Sequence, residues 1–446
     1  MFWKPIPFGQ ELKKMLESRN RPVLDSLREG HPRTLFSAFM YFDVSFMTWM
    51  LIGALSVLIA QELHLTDFQK GFLVAVPLLG GAFFRIVLGL LSDLFGPKKV
   101  GMFSLLFTII PLVWGCLAGK TFSELLGIGL LLGIAGASFA VALPLASRWY
   151  PPESQGIAMG IAGAGNSGTL FAIFLAPSLA ITYHFGWHGV FGLAILPILV
   201  VFVLFTWLAQ ESPTFHRSSP KWSHYLDLLK NKDLWWFCLF YSMTFGGFVG
   251  LTSYLNFLYH DHYGINFLTA GKLTGLGVLL GSFFRPVGGY LADRFGGLRL
   301  LSILLLVAAS AFFFFGTLLP SIPFAIFCVS AGILALGMSN GAVFQLVPLR
   351  FPDRIGIVSG IVGAFGGIGG FFFPTLLGAS RGILHSDGAG FILFSSLSLM
   401  CAVAIWIKQN KWKRDWAILT SSPAESEVAI PALPSGRVPM EVVFGG

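Results

Sequence analysis

Between about residues 35 and 408, Gly, Pro and short charge clusters divide the chain into twelve apolar stretches of helix length. The hydrocarbon core of a bilayer is about 30 Å thick, so a helix needs roughly 20 apolar residues to cross it. Nothing in that core hydrogen-bonds an exposed backbone, so a crossing chain is either helical or a closed barrel. These stretches are too long for barrel strands, which take about 9 to 11 residues. The pattern therefore predicts an all-α polytopic membrane protein with spans at 35–61, 68–94, 98–118, 124–148, 155–181, 187–208, 234–260, 268–293, 298–318, 322–348, 355–381 and 388–408. Only 11% of the 446 residues are charged, against roughly 25% in a soluble domain. The 29 Lys and Arg outnumber the 21 Asp and Glu. They lie scattered between apolar stretches and not along one stripe, which excludes a nucleic-acid partner.

Sorting the basic residues onto two sides tests the count, because cytoplasmic loops carry excess Lys and Arg. One side receives Lys98, Lys99, Arg148, Arg217, Lys221, Lys230, Lys232, Arg294, Arg299, Arg350, Arg354 and both termini; the other receives Lys70, Lys120, Lys272 and Arg381. This asymmetry predicts a multi-pass protein of the cell membrane, the lipid bilayer its surroundings, with both termini cytoplasmic. The expected organisation is a basic N-terminal segment (1–34), a six-helix half (35–208), a cytoplasmic linker (209–233), a second half (234–408) and a largely disordered tail (409–446). No apolar core precedes about residue 34, so no cleavable signal is expected and span one directs insertion. The four cysteines, Cys116, Cys238, Cys328 and Cys401, show no paired spacing. Neither a disulfide nor a metal site is indicated, and no cofactor is expected.

The chain repeats itself at an offset of 200 residues. GGAFFRIVLGLLSDLFG (80–96) stands against LGSFFRPVGGYLADRFG (280–296), and GIAMGIAGAG (156–165) against GIVSGIVGAF (356–365). Span two thus matches span eight, and span five matches span eleven. Two parallel six-span halves related by an axis along the membrane normal form one of the transporter plans, with substrate held near the midplane between them.

Arg85 and Arg285 recur at this offset, well inside their spans. An arginine at a helix centre costs about 2.5 to 3.5 kcal/mol on insertion scales, so it must face a cavity or a partner. The nearby spans supply no acidic residue at that depth, and the simplest countercharge is a small anionic substrate held between two guanidinium forks. In the alternative, the two face separate water pockets.

Glycines crowd spans five (Gly163, Gly165, Gly168) and eleven (Gly363, Gly366, Gly367), where small residues let helix backbones approach closely. Asn166 sits among them with an amide that hydrocarbon would leave unpaired, so it is either a bond between helices or a ligand to the anion. Phe139, Tyr241 and Phe245 lie on further helices that can face the cavity, as packing or as ligands. Asp93 and Asp293, in GLLSDLFGPKK (89–99) and GGYLADRFGGLR (289–299), read as gate residues. His260, Asp261 and His262 read as solvated loop chemistry, with no converging metal ligands. Asp43 is the one carboxylate inside a span away from its ends; it is a proton site or a structural hydrogen bond.

Taken together, the twelve spans and the doubled Gly-x-x-x-Asp-x-x-Gly loops resemble the major facilitator superfamily. AGAGNSG (162–168), GAFGGIGG (363–370), FYSMTFGGFVG (240–250), SNGAVFQLVP (339–348) and the two buried arginines resemble its nitrate/nitrite porter family, the NarK-like group. The resemblance covers about 35–408. It implies that Arg85 and Arg285 clamp nitrate, that Asn166 hydrogen-bonds it, that the Tyr241 hydroxyl reaches it, and that Phe139 and Phe245 bound its planar faces. Asp43, in FDVSFMTWML, looks like the proton-linked uptake branch more than the exchange branch.

Nitrate suits such a site, being planar, monovalent and weakly basic, with edges for guanidinium groups and faces for aromatic rings. Its entry into a cell negative inside costs about 2.3 kcal/mol per 100 mV, so import needs at least two protons per nitrate or exchange against internal nitrite. The sequence thus points to a monomeric secondary transporter of nitrate and nitrite working by alternating access, with proton-coupled uptake favoured over exchange. An exchanger of another small anion and a membrane anion sensor are the alternatives. An enzyme would need a converging nucleophile, metal or acid/base set, and the chain shows none.

Overall fold

The computed structural model describes residues 30–150, 158–159, 161–213, 228–319, 321–351 and 355–420. Twelve helices among them are long and apolar enough to cross a membrane. Spans one to six are Pro32–Glu62, Asp67–Phe95, Pro97–Leu117, Phe122–Ser147, Ile161–Ile181 and Gly186–Leu208. Spans seven to twelve are Lys232–His262, Phe267–Ala292, Gly297–Leu318, Ile322–Val347, Ile357–Leu384 and Asp387–Trp412. The architecture is all-helical, in two pseudo-symmetric six-helix halves. Most of the expected linker and all of residues 1–29 lie outside the described residues.

Local chemistry sets the helix ends. Span one starts at Pro32, where the missing N–H costs nothing, and the His31 ring caps it by accepting the Thr34 N–H at 3.1 Å. Thr66 with Gln69 and Thr121 with Glu124 form reciprocal capping boxes at the starts of spans two and four. The repeated loops end spans two and eight in the same way: Gly96 and Gly296 take φ of 93° and 86°, a conformation open to glycine. The last helix runs on to Thr420, past its expected end at 408, so the first part of the expected tail is helical. No Gly or Pro stops it before Pro423, and the Lys408 ammonium rests 4.3 Å from the Trp236 ring centroid.

Several spans are not continuous α-helix. Span five passes through a 3-10 turn at Ala164–Ser167. Span seven widens into π-helix at Ser242–Gly246 and Leu258–His262. Span four breaks at Ala137 and Ser138, and span eight at Phe284, just before Pro286. Irregular backbone at membrane depth is tolerated where protein covers it or a cavity adjoins it, and π-segments cluster at functional sites.

With an even number of crossings, both ends of the described chain lie on one face. The halves meet over the other part of the molecule, from midplane to the far face. Asn256 of span seven donates to the Gly53 carbonyl of span one at 2.9 Å and accepts from Thr274 of span eight at 2.8 Å. Spans two and eleven touch where Gly71 faces Pro374 and Gly378. Nearer the termini, among the described residues, no side-chain hydrogen bond crosses between halves beyond Arg85.

Candidate functional site

A small cavity lies between the halves, lined by Phe42, Phe46, Arg85, Phe139, Asn166, Tyr241, Phe245 and Arg285. It measures about 10 Å³, room for roughly one water molecule. All six residues expected to bind substrate therefore converge on one place.

The two arginines are held unequally. Arg85 is buried, at 4% exposure. Its Nε donates to the Gly136 carbonyl of span four at 3.2 Å, and its Nη1 to the Gly363 carbonyl of span eleven at 2.7 Å. Arg285 is half-buried and makes one long contact, from Nη2 to the Tyr241 hydroxyl at 3.4 Å. Among the described residues neither guanidinium has a carboxylate within ion-pair distance, so the positive charge at the cavity is uncompensated by the protein.

Aromatic rings frame these charges. Tyr241 and Phe245, four residues apart on span seven, stack with centroids 5.1 Å apart and planes 8° apart. The Phe344 ring meets Tyr241 edge-on at 4.9 Å. The Arg85 guanidinium lies 4.9 Å from the Phe245 centroid and 5.8 Å from that of Trp49; that of Arg285 lies 5.5 Å from Phe344. Ring faces attract cations, which offsets part of the cost of burying guanidinium groups.

Asn166 is carried by the 3-10 turn of span five, and its Nδ2 donates to the Ser282 hydroxyl of span eight at 2.8 Å. One residue on, the Ser167 hydroxyl donates to Asp43 Oδ1 at 2.7 Å. The close approach expected of the glycines is found at four of six. A Cβ at Gly165 or Gly168 would strike the span-one backbone around Phe39 and Asp43; at Gly366 or Gly367 it would strike Tyr241 or Ala82. Around Gly163 and Gly363 there is open space, so close packing does not explain them. Gly363 serves instead through its carbonyl, which holds Arg85.

Ion pairs divide by face. On the face of the termini, those between described residues stay within one half: Arg148 with Asp93 at 2.9 Å, and Arg350 with Asp233 at 2.6 Å. Glu211 accepts from the Lys98 N–H at 2.8 Å, at the start of span three. Burial pushes its carboxyl above the usual range, against the downward pull of that bond and of Arg148. The side chain of Asp293 lies outside the described residues. On the far face the charges join the halves. Lys70 of span two meets Asp261 of span seven at 2.6 Å, and Arg381 of span eleven reaches Asp67 at 3.7 Å, Asp387 at 3.5 Å and Asp261 at 3.8 Å. The His262 ring contacts Asp387 at 2.7 Å, and the His260 ring meets Gln61 of span one at 3.0 Å. The solvated-loop reading of residues 260–262 is thus corrected: they end span seven in a π-segment, where His260 and Asp261 reach the other half and His262 pairs within its own.

Sequence reasoning passed over Phe42, Phe46, Trp49, Ser282 and Phe344. Phe344 stands in the string SNGAVFQLVP, and Ser282 stands three residues before Arg285 within the repeat, so both lay beside signals already in view.

A profile described as Major Facilitator Superfamily matches residues 37–374. The chain belongs to the major facilitator superfamily, a transporter family and not an enzyme family. It is 34% identical over 366 residues to a nitrite extrusion protein of Bacillus subtilis (strain 168), covering 81% of this chain and 91% of that one. It is 31% identical to a probable nitrate/nitrite antiporter, NarK1, of Thermus thermophilus, covering 86% of this chain and 92% of the relative. Among solved structures it resembles a D-xylose-proton symporter, with a TM-score of 0.70 and 16% identity over 84% of this chain and 97% of that one. The human organic anion transporter MFSD10 gives 0.65 and 17%, over 84% and 99%. At such identities these two structures speak for the fold alone.

Proposed function

We propose that this major facilitator protein carries nitrate, and nitrite with it, across the cytoplasmic membrane by alternating access, both termini cytoplasmic. The observation that carries the reading is the pair of arginines lining one cavity between the halves with no carboxylate beside them among the described residues, in a chain whose relatives are named nitrate and nitrite transporters. A monovalent planar anion supplies the missing countercharge. Guanidinium edges meet its oxygens, and the Tyr241, Phe245 and Phe139 rings bound its faces.

Arg85, bonded to two carbonyls, is the fixed jaw of this clamp. Arg285, with one long contact, is the jaw that moves to admit the anion into a cavity that is otherwise too small. Asn166 adds an amide donor. The far-face ion pairs hold the outer side shut, and the terminal face, where the pairs among the described residues stay within each half, is the side on which the halves part. Asp93 with Arg148 steadies the N-terminal half there, with Asp293 as its expected counterpart.

Asp43 takes the proton in this reading. Uptake against the membrane potential needs inward positive charge, and Asp43 touches, through Ser167, the turn that bears Asn166. Proton-coupled nitrate uptake is thereby favoured over nitrate/nitrite exchange. Proteoliposomes loaded with or without nitrite, under an imposed pH gradient, test the proposal. Nitrate accumulation that follows the gradient without internal nitrite is expected. Uptake only against internal nitrite would leave the carrier and remove the symport, and absence of both would remove nitrate as substrate.

A further inference from the structure

The bond between Asn166 and Ser282 joins the two halves at the level of the arginines, and it has no counterpart in the repeat. At the 200-residue offset Asn166 stands opposite Gly366, and Ser282 opposite Ala82. On the mirrored side Ala82 packs not on Gly366 but on its neighbour Gly367, the counterpart of Ser167, where an added Cβ would lie 2.8 Å from that of Ala82. The two sides of the cavity thus share their arginines and differ at this pair: both partners are polar on one side, and both sites are apolar on the other. A lone polar side chain here would be left with an unmade bond in a buried place, so the two belong together.

We infer that Ser282 is a positioning residue that keeps the Asn166 carboxamide hydrogen-bonded while it turns its donor edge to the anion. The inference rests on the reading of Asn166 as an anion ligand. A carboxamide presents an acceptor oxygen on one edge and two N–H donors on the other, while a hydroxyl both donates and accepts. In the present arrangement Nδ2 donates to Ser282. After half a turn of the amide, Ser282 donates to Oδ1 and both N–H groups point at the cavity. Ser282 satisfies the amide in either orientation, so Asn166 can turn its donors to an arriving anion without stranding its oxygen. Span eight carries Ser282 three residues ahead of Arg285, and the break at Phe284 lies between them, so the hydroxyl and the movable arginine flank one irregular segment. Pro286 lacks the N–H that would tie down the Ser282 carbonyl four residues earlier, which leaves that segment freer to shift.

The test is nitrate binding by calorimetry to the purified full-length protein, beside its thermal midpoint. Ser282→Ala is expected to weaken binding roughly tenfold, the scale of one hydrogen bond to a charged ligand, and to lower the midpoint because the Asn166 amide loses its partner. Ser282→Thr, which retains the hydroxyl, should bind as the wild type does. Asn166→Ala should weaken binding at least as much, and the double variant should be no worse than Asn166→Ala alone, because coupled residues are not additive. Should the alanine variant fail to fold, Ser282→Cys, of similar shape and weak hydrogen bonding, carries the same expectation. Normal binding by Ser282→Ala beside a weakened Asn166→Ala overturns the positioning role and leaves Asn166 a ligand. Losses that add in the double variant overturn it too. Normal binding by Asn166→Ala removes the ligand reading and this inference together.

Discussion

Arg85 and Arg285 stand at equivalent positions of the repeat and line one cavity, yet Arg85 donates to the Gly136 and Gly363 carbonyls while Arg285, among the described residues, hydrogen-bonds only the Tyr241 hydroxyl. Sequence symmetry is therefore broken in hydrogen bonding. One arginine is anchored across both halves, and the other is held at the edge of bonding distance.

This asymmetry separates the two lysine variants. Arg85→Lys keeps a charge but loses the Nε bond to span four, leaving a buried carbonyl unpaired, so both nitrate affinity and thermal stability are expected to fall. A stability loss of about 1 to 3 kcal/mol is the usual scale for such a group. Arg285→Lys should keep the melting midpoint and lose affinity by more than tenfold, because an ammonium cannot present the planar fork. Near-normal nitrate affinity in purified Arg285→Lys would sink the clamp.

The fold was legible because the bilayer leaves so few solutions. Span number and the parallel repeat followed from apolar length, charge sidedness and the 200-residue offset, and the arginines announced themselves as charges where hydrocarbon forbids them. The departures from regular helix were hidden. The 3-10 turn under Asn166 and the π-segment after Tyr241 carry no composition of their own; they show only in the packing, the turn against span one and the π-segment against span eleven. Ser282 lay beside Arg285 in the repeat but carried no signal of its own, since a serine in an apolar run satisfies itself by default on the preceding turn, and only the partner across the interface distinguishes it. The far-face charges looked like loop chemistry for a related reason: a sequence shows that Asp261 ends a span, but not that Lys70 and Arg381 end theirs against it.

The glycines offer a control within one motif. Gly168 faces the Asp43 carbonyl so closely that no Cβ fits, whereas Gly163 faces open space. Gly168→Ala is expected to drive spans one and five apart, costing about 1 to 3 kcal/mol as overpacking does. Gly163→Ala should change stability by less than about 0.5 kcal/mol. Thermal unfolding of the two variants side by side checks this; equal losses would mean that both act through helix backbone freedom and not through contact.

The far-face network predicts a shift in conformational population. Lys70 with Asp261 and Arg381 with Asp67 each tie one half to the other. Partly exposed pairs contribute up to about 1 kcal/mol each, and one to two kcal/mol changes a two-state ratio by roughly 5 to 30-fold. Lys70→Met together with Arg381→Met should therefore enlarge the population open at the far face. Spin labels on the far ends of spans one and seven would report this as a longer-distance component. The control is Arg350→Met, whose partner Asp233 lies in the same half, and it should leave the distances unchanged. Identical distance distributions in all three proteins would show that apolar contacts alone keep the far side shut.

Asp43 offers the sharpest test of coupling. Its carboxylate accepts from Ser167, next to Asn166 in the turn at the cavity, so a proton arriving there alters the contact that holds this turn against span one. Net import of an anion needs inward positive charge, while nitrate/nitrite counterflow exchanges like charges and needs none. Asp43→Asn keeps a hydrogen-bond acceptor for Ser167 but takes up no proton. It is expected to abolish accumulation driven by a pH gradient and to spare counterflow to within a few-fold. Both activities would be measured in one liposome preparation. Equal damage to both would assign Asp43 a structural hydrogen bond, and intact gradient-driven uptake would place the proton site elsewhere in the chain.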